Sequence, residues 1–276
     1  MVIGLLAGVG AAVLFGLAAV LQAHAVRALE NGVTHLAGFV RDAVRNPLIL
    51  LVVAAYLGGF VLHAVAIWFL PLYLAQASIA LSLPISALAA RRVNETVSGR
   101  QWLAVAAVVV GLLLLALGSG DPGEVRVSPT FVALLYVAAV VIVAATRVRS
   151  LPAGEWFGTL SGLAYAGSAI AVRGVAWPPG VLVGLAAVAV SVFGLLGFWL
   201  YSTGLERGGV SPVTAPLVVG QTAVPGVVGV ALLGDGVRPG WAVAVVAGVL
   251  LAMAGATLVS RATAGPESGS APDPVG

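Results

Sequence analysis

Few side chains in this 276-residue sequence could do chemistry, and most of them lie inside long apolar runs. His63 stands in the second run; Gln76, Ser78, Ser82 and Ser86 stand in the third. Ser161, Tyr165 and Ser168 follow in the sixth, and Thr214, Gln221 and Thr222 in the eighth, while Gln22 and His24 close the first. An ionisable group in such a run is costly to keep there, so it marks a binding site or a proton path unless a neighbouring helix satisfies it. An imidazole titrates in the range that suits proton coupling; its other reading is a neutral ring hydrogen-bonded between helices. Ser78, Ser82 and Ser86 recur every fourth residue, which makes one helical stripe that either lines a path or glues two helices. Gln221 and Thr222 fall next to Pro225, at a depth similar to the third-run cluster. The candidate solute-binding set is therefore His63, Gln76, Ser82, Tyr165 and Gln221.

Other chemistries are poorly served. With no Cys there is no thiolate metal site and no disulfide, and three scattered His offer no zinc cluster. No Asp or Glu lies within the apolar runs, so hard-cation ligands and paired catalytic carboxylates are missing there. The segment Gly158-Thr159-Leu160-Ser161-Gly162 only faintly resembles a rhomboid-type serine site, and all three His precede Ser161. No phosphate-cradling loop is present. The expectation is no enzyme activity, no catalytic residues, no metal and no cofactor.

The elements that must position these residues are nine apolar runs, beginning near Val2, Pro47, Leu72, Gln101, Pro129, Glu155, Gly180, Val210 and Gly240. A helix needs about 20 apolar residues to cross a bilayer. The chain is 61% hydrophobic and only 8% charged, with a mean hydropathy of +1.12, whereas soluble domains carry about 25% charge. The expected fold is an all-α membrane protein of about nine transmembrane helices. All 13 basic residues are Arg. Ten fall on one side of the alternating loops (Arg27, Arg41, Arg45, Arg91, Arg92, Arg100, Arg147, Arg149, Arg207 and Arg261) and three on the other (Arg126, Arg173 and Arg238). Cytoplasmic loops carry the basic excess, so a multi-pass protein of the cytoplasmic membrane is expected, with the N-terminus outside and the C-terminus inside. The same reading leaves no role for nucleic acid despite the basic balance. Met1-Val2-Ile3 lacks a basic leader, which favours a retained first helix over a cleaved signal peptide. A loop over Gln22–Asn46 is expected to hold a short interfacial helix near Leu36–Val44. The Gly-, Pro- and Ser-rich stretch 261–276 reads as a disordered cytoplasmic tail.

Two parts of the chain match. Pro71 and Pro84 are 13 residues apart, as are Pro212 and Pro225. An acidic residue follows each pair (Glu95, Asp235), then a Trp (Trp102, Trp241), then two Gly seven apart (Gly111 and Gly118; Gly248 and Gly255). The copies start on opposite sides of the membrane, so they predict two inverted repeats: residues 1–120 with four helices and 129–260 with five. Inverted repeats characterise secondary transporters, whose sites lie at mid-depth where the repeats meet. Pro84 and Pro225 sit inside apolar runs and are expected to break helices there, freeing carbonyls beside a solute path or making a packing kink. Gly154, Gly158 and Gly162 form a small-residue seam, read as packing within the chain before contact in a homodimer. Trp102, Trp156, Trp177 and Trp241 read as interfacial anchors.

Gly59, Phe69-Leu70-Pro71, Ala80-Leu81-Ser82 and Glu95 together resemble the drug/metabolite transporter superfamily, with its EamA-like repeats. Within it, the four-plus-five arrangement and the opening Ile3-Gly4-Leu5 resemble the NIPA-type magnesium transporters. The resemblance runs over about residues 1–260. It implies a bundle of two inverted repeats, usually of ten helices, here one short in the first repeat. It also implies transport, with magnesium as one substrate class. The position where that subfamily tends to be acidic is Phe60 here, and His63 replaces an Asn. The expected function is alternating-access transport of a small solute, coupled to protons, to sodium or to neither, in a lipid bilayer. The missing carboxylates favour an uncharged or amphipathic organic solute over magnesium or another divalent cation. The other reading is a membrane-embedded accessory subunit or scaffold without transport of its own, which a stable complex with a neighbouring gene product would reveal.

Overall fold

Proline marks where several of the helices start. Its fixed φ suits the first turn, and its missing N–H is one the first turn does not use. The computed structural model describes residues 1–27, 47–82, 85, 89, 99–148, 153–207 and 210–263. Among these, nine α-helices follow one another: α1 (Val2–Arg27), α2 (Pro47–Phe69), α3 (Leu72–Ile79), α4 (Gly99–Leu117), α5 (Pro129–Ala145), α6 (Ala153–Val172), α7 (Val181–Arg207), α8 (Val210–Leu232) and α9 (Ala242–Thr263). Pro47 opens α2 and Pro129 opens α5, where Ser128 Oγ also accepts the Phe131 N–H at 3.1 Å. The described part of the chain is all-helical; its one β contact is an isolated bridge between Ser119 and Val237.

The helices are apolar on both faces. On α5, Leu135, Ala139 and Ile142 are buried while Leu134, Val137, Val140 and Val141 stand exposed. A helix that is hydrophobic all round belongs either deep in a core or in lipid, and these outward faces have no protein over them. Two stretches, Leu50–Phe69 and Val181–Tyr201, are long and apolar enough to cross a membrane, and five shorter helical stretches, such as Pro129–Ala145 and Ala242–Gly255, are apolar too.

Four close pairings build the bundle: α1 with α2, α6 with α7, α6 with α8, and α4 with α9. The last is antiparallel and nearly reciprocal. A Cβ on Gly111 would lie 2.7 Å from the Gly248 carbonyl oxygen, and one on Gly248 would lie 2.8 Å from that of Gly111. Gly255 likewise meets the Ala104 carbonyl, and Gly118 meets Val245. Only glycine lets two backbones approach so closely. Gly158 and Gly162 play the same part between α6 and α8, against the carbonyls of Val213 and Leu217; on the other side Gly8 of α1 meets Ser78 and Gly16 meets the Ser82 carbonyl. The glycine seam of α6 is thus occupied within the chain. α3 lies at the centre, with Leu72 to Ser78 all buried and neighbours in α1, α2, α4, α8 and α9.

Several boundaries differ from expectation. α1 runs on to Arg27, so Gln22 to Arg27 belong to a helix and not to a loop. α9 covers 261–263, because Arg and Ala continue a helix readily; 264–276 lie outside the described residues, as do the expected interfacial helix near Leu36–Val44 and the second half of the third run with Pro84, Ser86 and Glu95. Pro225 does not break α8, nor does Pro216: the helix is continuous from Val210 to Leu232. Each proline removes one hydrogen bond, and the flanking turns hold the helix together across the gap.

Candidate functional site

The central feature is a cavity of about 620 Å³ walled by α1, α2, α3, α6, α7 and α8. Such a volume lies within the range of roughly 300–1,000 Å³ in which small organic ligands are held. Tyr56, Phe60, His63 and Ile67 reach it from one face of α2, at spacings of four, three and four residues that an α-helix stacks on one side. Gln76 and Ile79 come from α3, Tyr165, Ser168 and Val172 from α6, Gly194 and Phe198 from α7, Gln221 from α8 and Phe15 from α1. The Phe15 and Tyr56 rings stand 6.2 Å apart at one end.

His63 and Gln76 meet here. The Gln76 side-chain amide nitrogen lies 3.2 Å from His63 Nε2, and both residues are buried, His63 with 7% of its surface exposed. With the amide so placed, its N–H donates and Nε2 accepts, which puts the imidazole proton on Nδ1. Nδ1 is buried and has no hydrogen-bond partner among the described residues. Tyr165 and Tyr56 bring phenol rings to the same cavity. Pro225 lacks the N–H that would bond the carbonyl of Gln221 four residues before it, so that carbonyl has no helical donor.

Four of the five candidate residues, His63, Gln76, Tyr165 and Gln221, thus line one cavity, and Ser82 does not. The reason is position: Ser82 lies past the end of α3 at Ile79, and its backbone carbonyl lies under Gly16 of α1. Ser78 shares that packing side, buried against Gly8 with its hydroxyl donating to the Ala75 carbonyl at 2.7 Å. The described part of the serine stripe is therefore a helix–helix contact. Ser161 and Ser168 also tie helices together, donating to the carbonyls of Gly197 at 2.8 Å and Val190 at 3.1 Å on α7. Trp177 is largely exposed; Trp156 is held by its indole N–H on the Ala145 carbonyl at 2.9 Å.

A second feature, a buried ion pair between Arg173 and Asp235, was not visible in the sequence. Arg173 follows α6 and Asp235 follows α8. The Asp235 carboxylate also accepts the backbone N–H of Leu72 at 2.6 Å and that of Gly123 at 2.8 Å, and Arg173 Nη1 donates to the Gly123 carbonyl at 3.0 Å. Asp235 therefore caps α3, whose own N-cap residue, Pro71, offers no side-chain acceptor. Gly234 makes this possible: its φ of +76° turns the chain back after α8, and Asp235 N–H donates to the Gly229 carbonyl at 2.9 Å. Gly229 leaves room for the carboxylate, since a Cβ there would collide with Asp235 Oδ2. On the far side of this clasp lies a more open cavity of about 670 Å³, bordered by Trp68, Glu124, Arg126, Arg173 and Trp177. Ile67 and Val172 face the central cavity while Trp68 and Arg173, their chain neighbours, face the outer one. The wall between the two is there one residue thick, tied by the Trp68 indole N–H on the Val172 carbonyl at 3.1 Å.

No protein-family model, curated protein or solved structure matches this chain. Its chemistry rests on the geometry. Among the described residues, no carboxylate and no Arg lines the central cavity and no cluster of three or more His, Asp or Glu exists. The cavity offers hydrogen bonds and aromatic walls.

Proposed function

We propose that the protein is a membrane-embedded secondary transporter that carries a small solute through the central cavity by alternating access. The observation that carries this reading is the cavity itself, enclosed by helices from both halves of the chain and holding His63, Gln76, Tyr165 and Gln221 in a largely apolar interior. The outward-facing Leu and Val side chains of α2, α5 and α7 support placement in a bilayer. The reciprocal glycine contacts of α4 and α9, and the likeness of α1 on α2 to α6 on α7, support two inverted repeats. The Arg173–Asp235 clasp and the Trp68–Val172 bond separate the two cavities, as a closed gate does. In this reading the chain is a member of the drug/metabolite transporter superfamily, in the cytoplasmic membrane. Magnesium fits less well than an organic solute, because Mg²⁺ is held by one or two carboxylates where it binds and the described residues of the cavity wall offer none.

The test is a thermal-shift screen of purified protein against organic solutes and Mg²⁺, with wild type beside His63→Ala, followed by uptake into proteoliposomes. A solute that raises the melting temperature of wild type but not of the variant, and that is then taken up only by vesicles containing protein, is the expected result. Stabilisation by Mg²⁺ with protein-dependent Mg²⁺ uptake would restore the cation reading. A complete absence of uptake for every stabilising solute would remove transport.

A further inference from the structure

The cavity is open sideways. Leu57, Phe60 and Phe198 line it and yet are 61%, 42% and 65% exposed, so they form a rim between α2 and α7. These two helices do not pack face against face. Gly194 stands in the α7 side of the gap, and a Cβ there would meet nothing within 4 Å. The surface around the rim, with Val61, Leu195 and Trp199, is exposed and apolar. An opening with such a border does not face water. His63, Gln76, Tyr165 and Gln221 supply polar groups to the cavity.

We infer that the cavity is loaded laterally, between α2 and α7, by a neutral lipophilic solute carrying a hydrogen-bonding group that meets the polar side chains His63, Gln76, Tyr165 and Gln221. The inference rests on the transporter reading for its bilayer setting and adds the solute class and the route. The apolar body of the solute packs against Phe15, Phe60 and Phe198. A charged solute is excluded by energetics: it would leave its hydration or headgroup shell for a wall with no counter-charge. A strongly hydrated neutral solute would not pass the apolar rim.

The probes are three benzophenones of matched shape: neutral 4-(hydroxymethyl)benzophenone, anionic 4-benzoylbenzoate and cationic (4-benzoylbenzyl)trimethylammonium. Each is irradiated with the full-length protein in phosphatidylcholine vesicles, with and without excess benzyl benzoate as a neutral competitor. The neutral probe should label α2, α6 and α7 next to the cavity, and the competitor should remove that label. Gly194→Trp, and independently Gly194→Leu, should abolish competable labelling without lowering the melting temperature, because the added side chain fills the opening. His63→Ala should weaken competition by roughly three- to tenfold, the worth of one neutral hydrogen bond. Equal competable labelling by the charged probes would overturn the solute class. Unchanged labelling in both Gly194 variants would overturn the route, and so would a fall in melting temperature in both, since the gap at Gly194 would then be filled. Specific labelling without protein-dependent transfer between vesicle faces would sink transport and leave the site; uptake that persists in Gly194→Trp would sink the lateral route and leave transport.

Discussion

His63 and Gln76 form a pair in which each polar group has a definite role. Gln76→Leu removes the donor to His63 Nε2 and leaves a buried ring nitrogen unsatisfied; the expected loss is about 1–3 kcal/mol, read as a lower melting temperature in detergent. His63→Ala in turn leaves the buried Gln76 amide without its acceptor, so a similar thermal cost is expected. Asp235→Asn tests the clasp. The amide cannot accept from Leu72, accept from Gly123 and balance Arg173 at once, and an uncompensated buried guanidinium costs about 3–5 kcal/mol. A matched melting curve for Asp235→Asn and wild type would show that the pair is not buried in solution. At this scale much was readable: a polar residue in an apolar run must find a partner or a ligand, and His63, Gln76, Tyr165 and Gln221 do converge. Ser82 was not readable by the same rule, because polarity says nothing about where α3 ends. Arg173 and Asp235 were recognised only as an orienting charge and a repeat marker, since 62 residues separate them.

The helices pack through glycine, and the positions differ sharply in tolerance. Gly111→Val would press a branched side chain into the Gly248 carbonyl and force α4 from α9; overpacking of this kind costs about 1–3 kcal/mol. Gly194→Ala meets open space and should change stability by less than about 0.5 kcal/mol. Denaturation of both variants in one detergent checks the contrast, and equal losses would contradict the packing. Helix starts at Pro47 and Pro129 were legible because the apolar runs begin there, each on a proline that suits a first turn. Helix ends were less so: α1 and α9 pass beyond their apolar runs, and α8 passes through Pro216 and Pro225. Propensity and neighbours continue a helix where hydropathy alone stops it.

For the molecule as a whole, the ten-to-three distribution of Arg leads to a defined orientation. Reporter fusions after Arg147 and after Arg173 should report cytoplasm and exterior respectively. That orientation would put the Arg173–Asp235 clasp on the outer side. Equal signals from the two fusions would refute both the orientation and the sidedness of the gate.

By itself the sequence determined that the chain would be all-helical, where its helices begin and which polar side chains are unusual, since these depend on composition and on residues within a turn or two. Only the tertiary structure decided that α2 and α7 stand apart around an apolar opening, that Ser78 and Ser82 serve packing, and that Asp235 caps α3 across 163 residues while pairing Arg173. Those outcomes depend on how helices rotate and dock, which is settled by where backbones can touch, at Gly8, Gly111, Gly158 and Gly248. A glycine in the sequence does not say which of its neighbours will be another backbone.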